Sequence, residues 1–152
     1  MARNIVTALP SQERLNELLT YEPATGKLFW KRRPVADFND GKHSALHNCV
    51  KWNGKFAGKE AFTATKSDGY KHTKVEGLWL SAHRVIWKMV MGIDPVEIDH
   101  IDGVRSNNIW GNLRNVVGQE NRRNMATSIR NTSGAVGVRY NKRSDAWQSF
   151  IT

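Results

Sequence analysis

Cysteine is almost missing from this chain. Cys49 stands alone among 152 residues, which rules out an intramolecular disulfide and any zinc site built on three or four thiolates. Cys49 itself reads as a buried, inert thiol, and no structural zinc is expected. Any metal must be held by oxygen and imidazole. Long apolar runs are lacking too. Nothing approaches the roughly eighteen apolar residues needed to span a bilayer, and the N-terminus, MARNIVTALP, has no signal-peptide core. A cytoplasmic protein that does not enter a membrane is expected. Acidic residues are scarce, with 14 Asp and Glu against 23 Lys and Arg, a formal charge of +9 and a pI near 10.0. That imbalance points to a polyanionic partner, nucleic acid first and an anionic membrane surface second. What remains is modest: 39% hydrophobic residues and a mean hydropathy of -0.56 allow one compact domain with a small core and at most an appendage.

Along the chain, Ser11 is placed to cap a short helix whose Leu15, Leu18 and Leu19 recur at helical spacing, ending before Tyr21. Thr25-Gly26 reads as a turn opening a strand over Lys27–Lys31, followed by the basic run Lys31, Arg32 and Arg33. Residues 35–69 scatter Gly, Asn, Asp and Lys among single aromatics, so loop with short strands is expected, with His43 and His47 on the surface. Order returns in a hairpin, Tyr70–Val75 and Leu78–Leu80 around Glu76-Gly77. Ser81 then caps a helix bearing Val85, Ile86, Met89 and Val90 on one face, closed by Gly92. His83, in its first turn, reads as structural. A strand over Val96–Ile101, a polar helix over Gln119–Ile129, a linker from Asn131, and a hairpin of Val136–Tyr140 with Trp147–Ile151 complete the chain.

The chemistry concentrates between Glu97 and Asn124, where Asp, His and a ladder of Asn residues alternate with Arg. So many amides and carboxylates are costly to bury unpaired, so this is not a core segment. Asp102-Gly103 is a turn signal, which leaves Asp99 and His100 at a strand end on opposite faces. A carboxylate suits a hard cation such as magnesium, and a neutral imidazole suits proton abstraction. Asn121 offers an amide oxygen from the following helix, with Glu120 and Asn124 as competing donors. Only one carboxylate faces the metal, so a single divalent ion, Mg2+ or alternatively Mn2+, is expected. Asn107, Asn108 and Asn112 are expected to pin the loop.

The runs AHRVIW (82–87), EIDHIDG (97–103), NN (107–108), NLRNV (112–116) and ENRRN (120–124), in this order and with these gaps, resemble the HNH endonucleases of the phage and group I intron homing type. GKLFWKRRP and FAGK look like the lead-in such proteins carry. The resemblance implies a ββα-metal fold in which Asp99 and Asn121 are metal ligands, His100 is the general base and Asn112 braces the loop. Where relatives commonly have Thr before the metal-binding helix, this chain has Val117-Gly118, so a good N-cap is missing unless Gly118 serves. The tail, NTSGAVGVRYNKRSDAWQSFI, is similar to the start of the DNA-binding domain of plant ethylene-response factors, which implies DNA contacts by Arg139, Arg143 and Trp147. The chain stops at Thr152, before the third strand and helix of that domain, so the tail is expected to be a partial module.

The expectation is an α+β protein: an N-terminal helix and short-strand region over 1–69, packed on or contacting DNA, an HNH nuclease core over 70–130, and a basic aromatic hairpin over 131–152. Its partner is double-stranded DNA, met through Arg122, Arg123, Arg130, Arg139, Lys142, Arg143 and Trp147. Monomer and dimer are both open. Three functions remain compatible: a metal-dependent DNA endonuclease that nicks or cuts both strands, a catalytically silent DNA-binding protein, and a nuclease without sequence preference.

Overall fold

A computed structural model describes residues 8–116, 138–141 and 145–149. Its backbone divides into two units, Met1–Asn115 and Val116–Thr152. The first begins with α1, Gln12–Leu18, whose Ser11 hydroxyl accepts the Arg14 N–H at 3.1 Å. Leu19 does not extend this helix, contrary to the sequence expectation. Its backbone is extended, and it opens β1, Leu19–Glu22. β1 pairs antiparallel with β2, Lys27–Trp30, in the register Leu19↔Trp30 to Glu22↔Lys27. Gly26 closes the turn at φ +72°, where glycine escapes a Cβ clash, and donates its N–H to the Glu22 carbonyl at 2.9 Å.

The segment read as loop holds a helix. α2 spans Ala45–Phe56, with Ser44 accepting the His47 N–H at 3.2 Å. Apolar periodicity hid it because its buried face is mixed. Cys49 and Asn53 are buried while Leu46 and Val50 are each 60% exposed. Asn53 works as a clamp, its amide oxygen accepting the Arg33 N–H and its amide N–H donating to the Arg33 carbonyl, both at 2.9 Å. Trp52 stands edge-on to Trp30 at 5.6 Å between centroids and lies 5.3 Å from Phe56. A two-residue strand β3, Glu60–Ala61, then adds to β2.

A second sheet has the order β4 (Ala64–Thr65), β5 (Lys71–Val75), β6 (Leu78–Ser81). Glu76 at φ 47° and Gly77 at φ 86° make the β5–β6 turn left-handed at both central residues, which matches strand twist. The chain passes directly into α3, Ala82–Met91. Ser81 makes no side-chain cap bond there, because it is still the last residue of β6. Val90 also departs from its expected face and is 42% exposed, whereas Ala82, Val85, Ile86 and Met89 are buried. Gly92 closes α3 at φ +74°, and Gln12 donates its side-chain N–H to the Met89 carbonyl at 2.9 Å. One core joins Leu15 and Leu18 of α1, Leu28 of β2, Val75 and Leu80 of the second sheet, and Val85 and Ile86 of α3. Full burial of such side chains contributes about 1.5–3 kcal/mol each. Among the described residues no helix is long and apolar enough to cross a membrane.

The expected strand over Val96–Ile101 shortens to β7, Ile98–His100. Val96 and Ile101 are both largely exposed and lie outside the ladder. β7 pairs antiparallel with β8, Leu113–Asn115, across a loop. The turn at Asp102-Gly103 therefore does not lead straight into the return strand. In the second unit, β9 (Val138–Asn141) and β10 (Ala146–Ser149) form the antiparallel C-terminal hairpin, Arg139 opposite Gln148 and Tyr140 opposite Trp147. Tyr140 donates its hydroxyl to the Asp145 carboxylate. Helices and strands mix as an α+β protein requires. The helix expected over Gln119–Ile129 and the linker after it fall outside the described residues.

Candidate active site

β7 turns His100 inward and Asp99 outward, as alternation along a strand dictates. His100 is 4% exposed. Its Nε2 lies 3.1 Å from the amide oxygen of Asn108, an atom that only accepts, so the ring is held with its proton on Nε2. Nδ1 then carries the free lone pair. It is buried and has no hydrogen-bond partner among the described residues. A base needs that arrangement, one ring nitrogen anchored and the other left without a partner.

Asn108 is itself held from the N-terminal region. It is 2% exposed, and its carbonyl accepts the Tyr21 hydroxyl at 2.8 Å. Burial pushes the Tyr21 phenol up to about 12, so it stays a donor at any working pH. The Gly26 turn presses on the same spot: a Cβ there would stand 2.5 Å from the Asn108 carbonyl carbon and the Ile109 nitrogen. Trp110 donates its N–H to the Pro23 carbonyl at 3.2 Å. The β1–β2 hairpin thus braces the loop that orients His100. Sequence reading missed this, because neither Tyr21 nor Gly26 carries a local signal for a contact more than eighty residues away.

Asp102 organises the loop. One carboxylate oxygen accepts the Val104 N–H at 2.8 Å and the Asn112 side chain at 2.9 Å, and the other accepts the Asn107 side chain at 2.6 Å. The Asn107 amide, then the Val104 N–H and the Asn112 amide, hold this carboxyl below the usual carboxylate range. Asn112 answers by accepting the Asp102 N–H at 3.0 Å and donating to the Asn107 carbonyl at 2.8 Å. Asp102→Ala removes the acceptor of all three donors while touching neither His100 nor Asp99. Thermal unfolding is expected at a lower temperature in this variant, since three hydrogen bonds to one charged acceptor are lost. An unchanged melting temperature would show that the loop keeps its shape without the carboxylate.

Asp99 faces Arg114 across the β7–β8 ladder. The guanidinium grips one carboxylate oxygen, Oδ2, at 2.5 and 3.0 Å, a pairing set by register rather than by sequence proximity. Oδ1 makes no hydrogen bond to another described residue and is the kind of hard donor a magnesium ion takes. Among the described residues no three His, Cys, Asp or Glu side chains converge as a metal site. Asn121 lies outside the described residues, as do Arg122, Arg123, Arg130, Lys142 and Arg143. Arg139 and Trp147 lie on β9 and β10, and of these two residues only the backbone is described. Of the basic run, Lys31 donates to the Asn16 carbonyl at 2.6 Å, and Arg33 pairs with Asp37 at 2.9 Å. Arg32 alone of the three is left exposed without either tie.

Behind His100 sits His83, 7% exposed, its ring edge-on to His100 at 5.5 Å and 4.6 Å from Tyr70. Burial first, then the neighbouring His100 and Arg84, lower the His83 imidazole to about 3, against a smaller opposing pull from Asp68. His83 is therefore neutral in the folded protein. The unfolded chain takes up its proton below about 6.5, so this residue's stability contribution is whole above that pH and is lost on acidification toward 3, at up to about 1.4 kcal/mol per pH unit. Thermal unfolding between pH 7 and 4.5 should be more acid-sensitive in the wild type than in His83→Gln. Parallel curves would remove His83 as the titrating group.

Residues 81–123 match the family model of HNH endonucleases. This supports an endonuclease domain of that family, with its ββα-metal core, over the stretch that holds α3, β7, the Asp102 loop and β8. Among curated proteins, "Protein 3.8" of Escherichia phage T7 is 38% identical over 72 residues, 46% of this chain and 60% of that protein. The chain thus spans 60% of the length of this relative. No solved structure matches.

Proposed function

We propose that this protein is a metal-dependent HNH endonuclease that hydrolyses phosphodiester bonds of duplex DNA in the cytoplasm of a phage-infected host. The observation that carries it is His100, buried, pinned through Nε2 and without a partner at Nδ1 among the described residues, one residue from an outward carboxylate inside the matched stretch. His100 Nδ1 takes the proton of the attacking water, and the Nε2–H bond to Asn108 keeps the ring aimed as it becomes charged. Asp99 and Asn121 would hold a divalent ion, Mg2+ or Mn2+, which would supply charge neutralisation at the phosphate and the leaving oxygen. Asn112 holds the loop through Asp102. Arg122, Arg123 and Arg130, with Arg139, Lys142, Arg143 and Trp147 of the tail, position the duplex through its backbone, whose phosphates take most such contacts. The tail hairpin acts as a partial version of the ethylene-response-factor type of DNA-binding module.

The test is supercoiled plasmid with Mg2+, with Mn2+ and with EDTA. Conversion to nicked or linear forms with either ion and none with EDTA is expected. Intact plasmid under all three conditions overturns the proposal. The Asp99–Arg114 ion pair favours one alternative, a DNA-binding protein without catalysis, because a guanidinium already neutralises the carboxylate. Gel-shift of the plasmid without cleavage would establish that reading.

A further inference from the structure

We infer that α2 is a second docking element for duplex DNA, carrying a row of basic side chains that engages the sugar-phosphate backbone away from His100. This rests on the DNA-cleaving function proposed above and adds where else on the chain the substrate is held.

The row is a consequence of spacing. His47, Lys51 and Lys55 recur every fourth residue within Ala45–Phe56, and all three are exposed. A four-residue step turns about 400° and rises about 6 Å. The three therefore form one ridge about 12 Å long, the length of three to four base pairs at 3.4 Å each. His43 prolongs it, its ring stacked on His47 at 4.5 Å. The helix contains no Asp or Glu.

Several cations of the same unit are matched, Arg14 with Glu17, Asp37 and Glu76, Lys27 and Lys71 with Glu60, Lys88 with Asp94; those of α2 are not. Lys51 and Lys55 form no ion pair with any described residue, and Lys55 is instead placed 5.1 Å over the Phe56 ring. Two unmatched lysines one turn apart on a rigid element, with histidines in line, complement a polyanion whose charges repeat. A membrane surface fits less well. An interfacial helix needs a broad apolar face with aromatics, whereas Trp52 and Phe56 turn toward each other and Trp30, leaving only Leu46 and Val50 outside.

The experiment measures binding of the full chain to a fluorescent 30-base-pair duplex in EDTA, by anisotropy, from about 50 to 200 mM salt. Each neutralised phosphate adds about 0.9 to the slope of log affinity against log salt. Lys51→Gln with Lys55→Gln should flatten that slope by about 1.8 and weaken binding on the order of tenfold at the higher salt. Lys51→Arg with Lys55→Arg should restore both, which separates charge from any effect on folding. An unaltered slope in the Gln variant, with the wild type still binding and cutting, overturns the docking face alone. A wild type that neither binds nor cuts DNA overturns the nuclease reading with it. Wild-type binding to phosphatidylserine vesicles that the Gln pair abolishes, with the DNA slope unmoved, assigns the ridge to membranes and overturns the proposal.

Discussion

His100→Ala is expected to lower plasmid cleavage on the order of a thousandfold, within the range a positioned general base contributes, while leaving DNA affinity in EDTA unchanged. The reason is geometric. Among the described residues, His100 is the one buried imidazole of this site whose Nε2 is anchored by a side chain, at 3.1 Å from Asn108, with the opposite nitrogen unpartnered. His83 is its neighbour, but it lacks such an anchor among the described residues and is held neutral by burial. Removing a base should not move phosphate contacts, so binding serves as the internal control. Asn108→Ala supplies the complement. It frees the Nε2 side of the ring without deleting the base, and its loss of cleavage should be substantial but smaller than that of His100→Ala. Wild-type rates in His100→Ala would show that another group takes the proton.

Gly26→Ala carries the second large effect, and it lies far from the central stretch in sequence. Two costs add. The residue sits at φ +72°, where a Cβ costs about 1–2 kcal/mol, and that Cβ would stand 2.5 Å from backbone atoms of Asn108 and Ile109. Backbone cannot swing aside as a flexible side chain would, so the β1–β2 turn or the Asn108 loop must move. A fall of about 2–4 kcal/mol in stability is expected, combining the conformational cost with overpacking, together with a loss of cleavage, because Asn108 holds His100. Gly58 is the matched control. It has φ +77°, and a methyl group added there would meet nothing within 4 Å, so Gly58→Ala should show the conformational cost alone and retain full activity. Equal effects at the two glycines would show that the contact with Asn108 carries no weight.

Local patterns were legible where one short stretch fixes its own geometry. Ser11 with Leu15 and Leu18 marks α1, Glu76-Gly77 marks the β5–β6 turn, and Gly92 ends α3 in the left-handed conformation that glycine favours. α2 was illegible for a physical reason. Its inward positions include Asn53, satisfied by the Arg33 backbone, and its outward ones include Leu46 and Val50, so an apolar period is absent from the sequence although the helix is real. In the site, the motif named His100 and Asp99 as the residues to examine. Their partners were invisible, because Arg114 meets Asp99 only through β7–β8 register, and Tyr21 meets Asn108 only once the N-terminal hairpin is folded.

The Tyr21 and Gly26 contacts also bear on what counts as a module. The stretch that matches HNH endonucleases begins at residue 81, yet the loop that aims its histidine leans on a hairpin turn formed by residues 22–26. The matched stretch and the residues that brace its histidine therefore have different boundaries in this chain. Opening of β1–β2 releases the loop around Asn108, so the proposed nuclease centre is only as persistent as that hairpin. A graft of the matched stretch onto another scaffold would carry the reacting groups without the brace that keeps them in place.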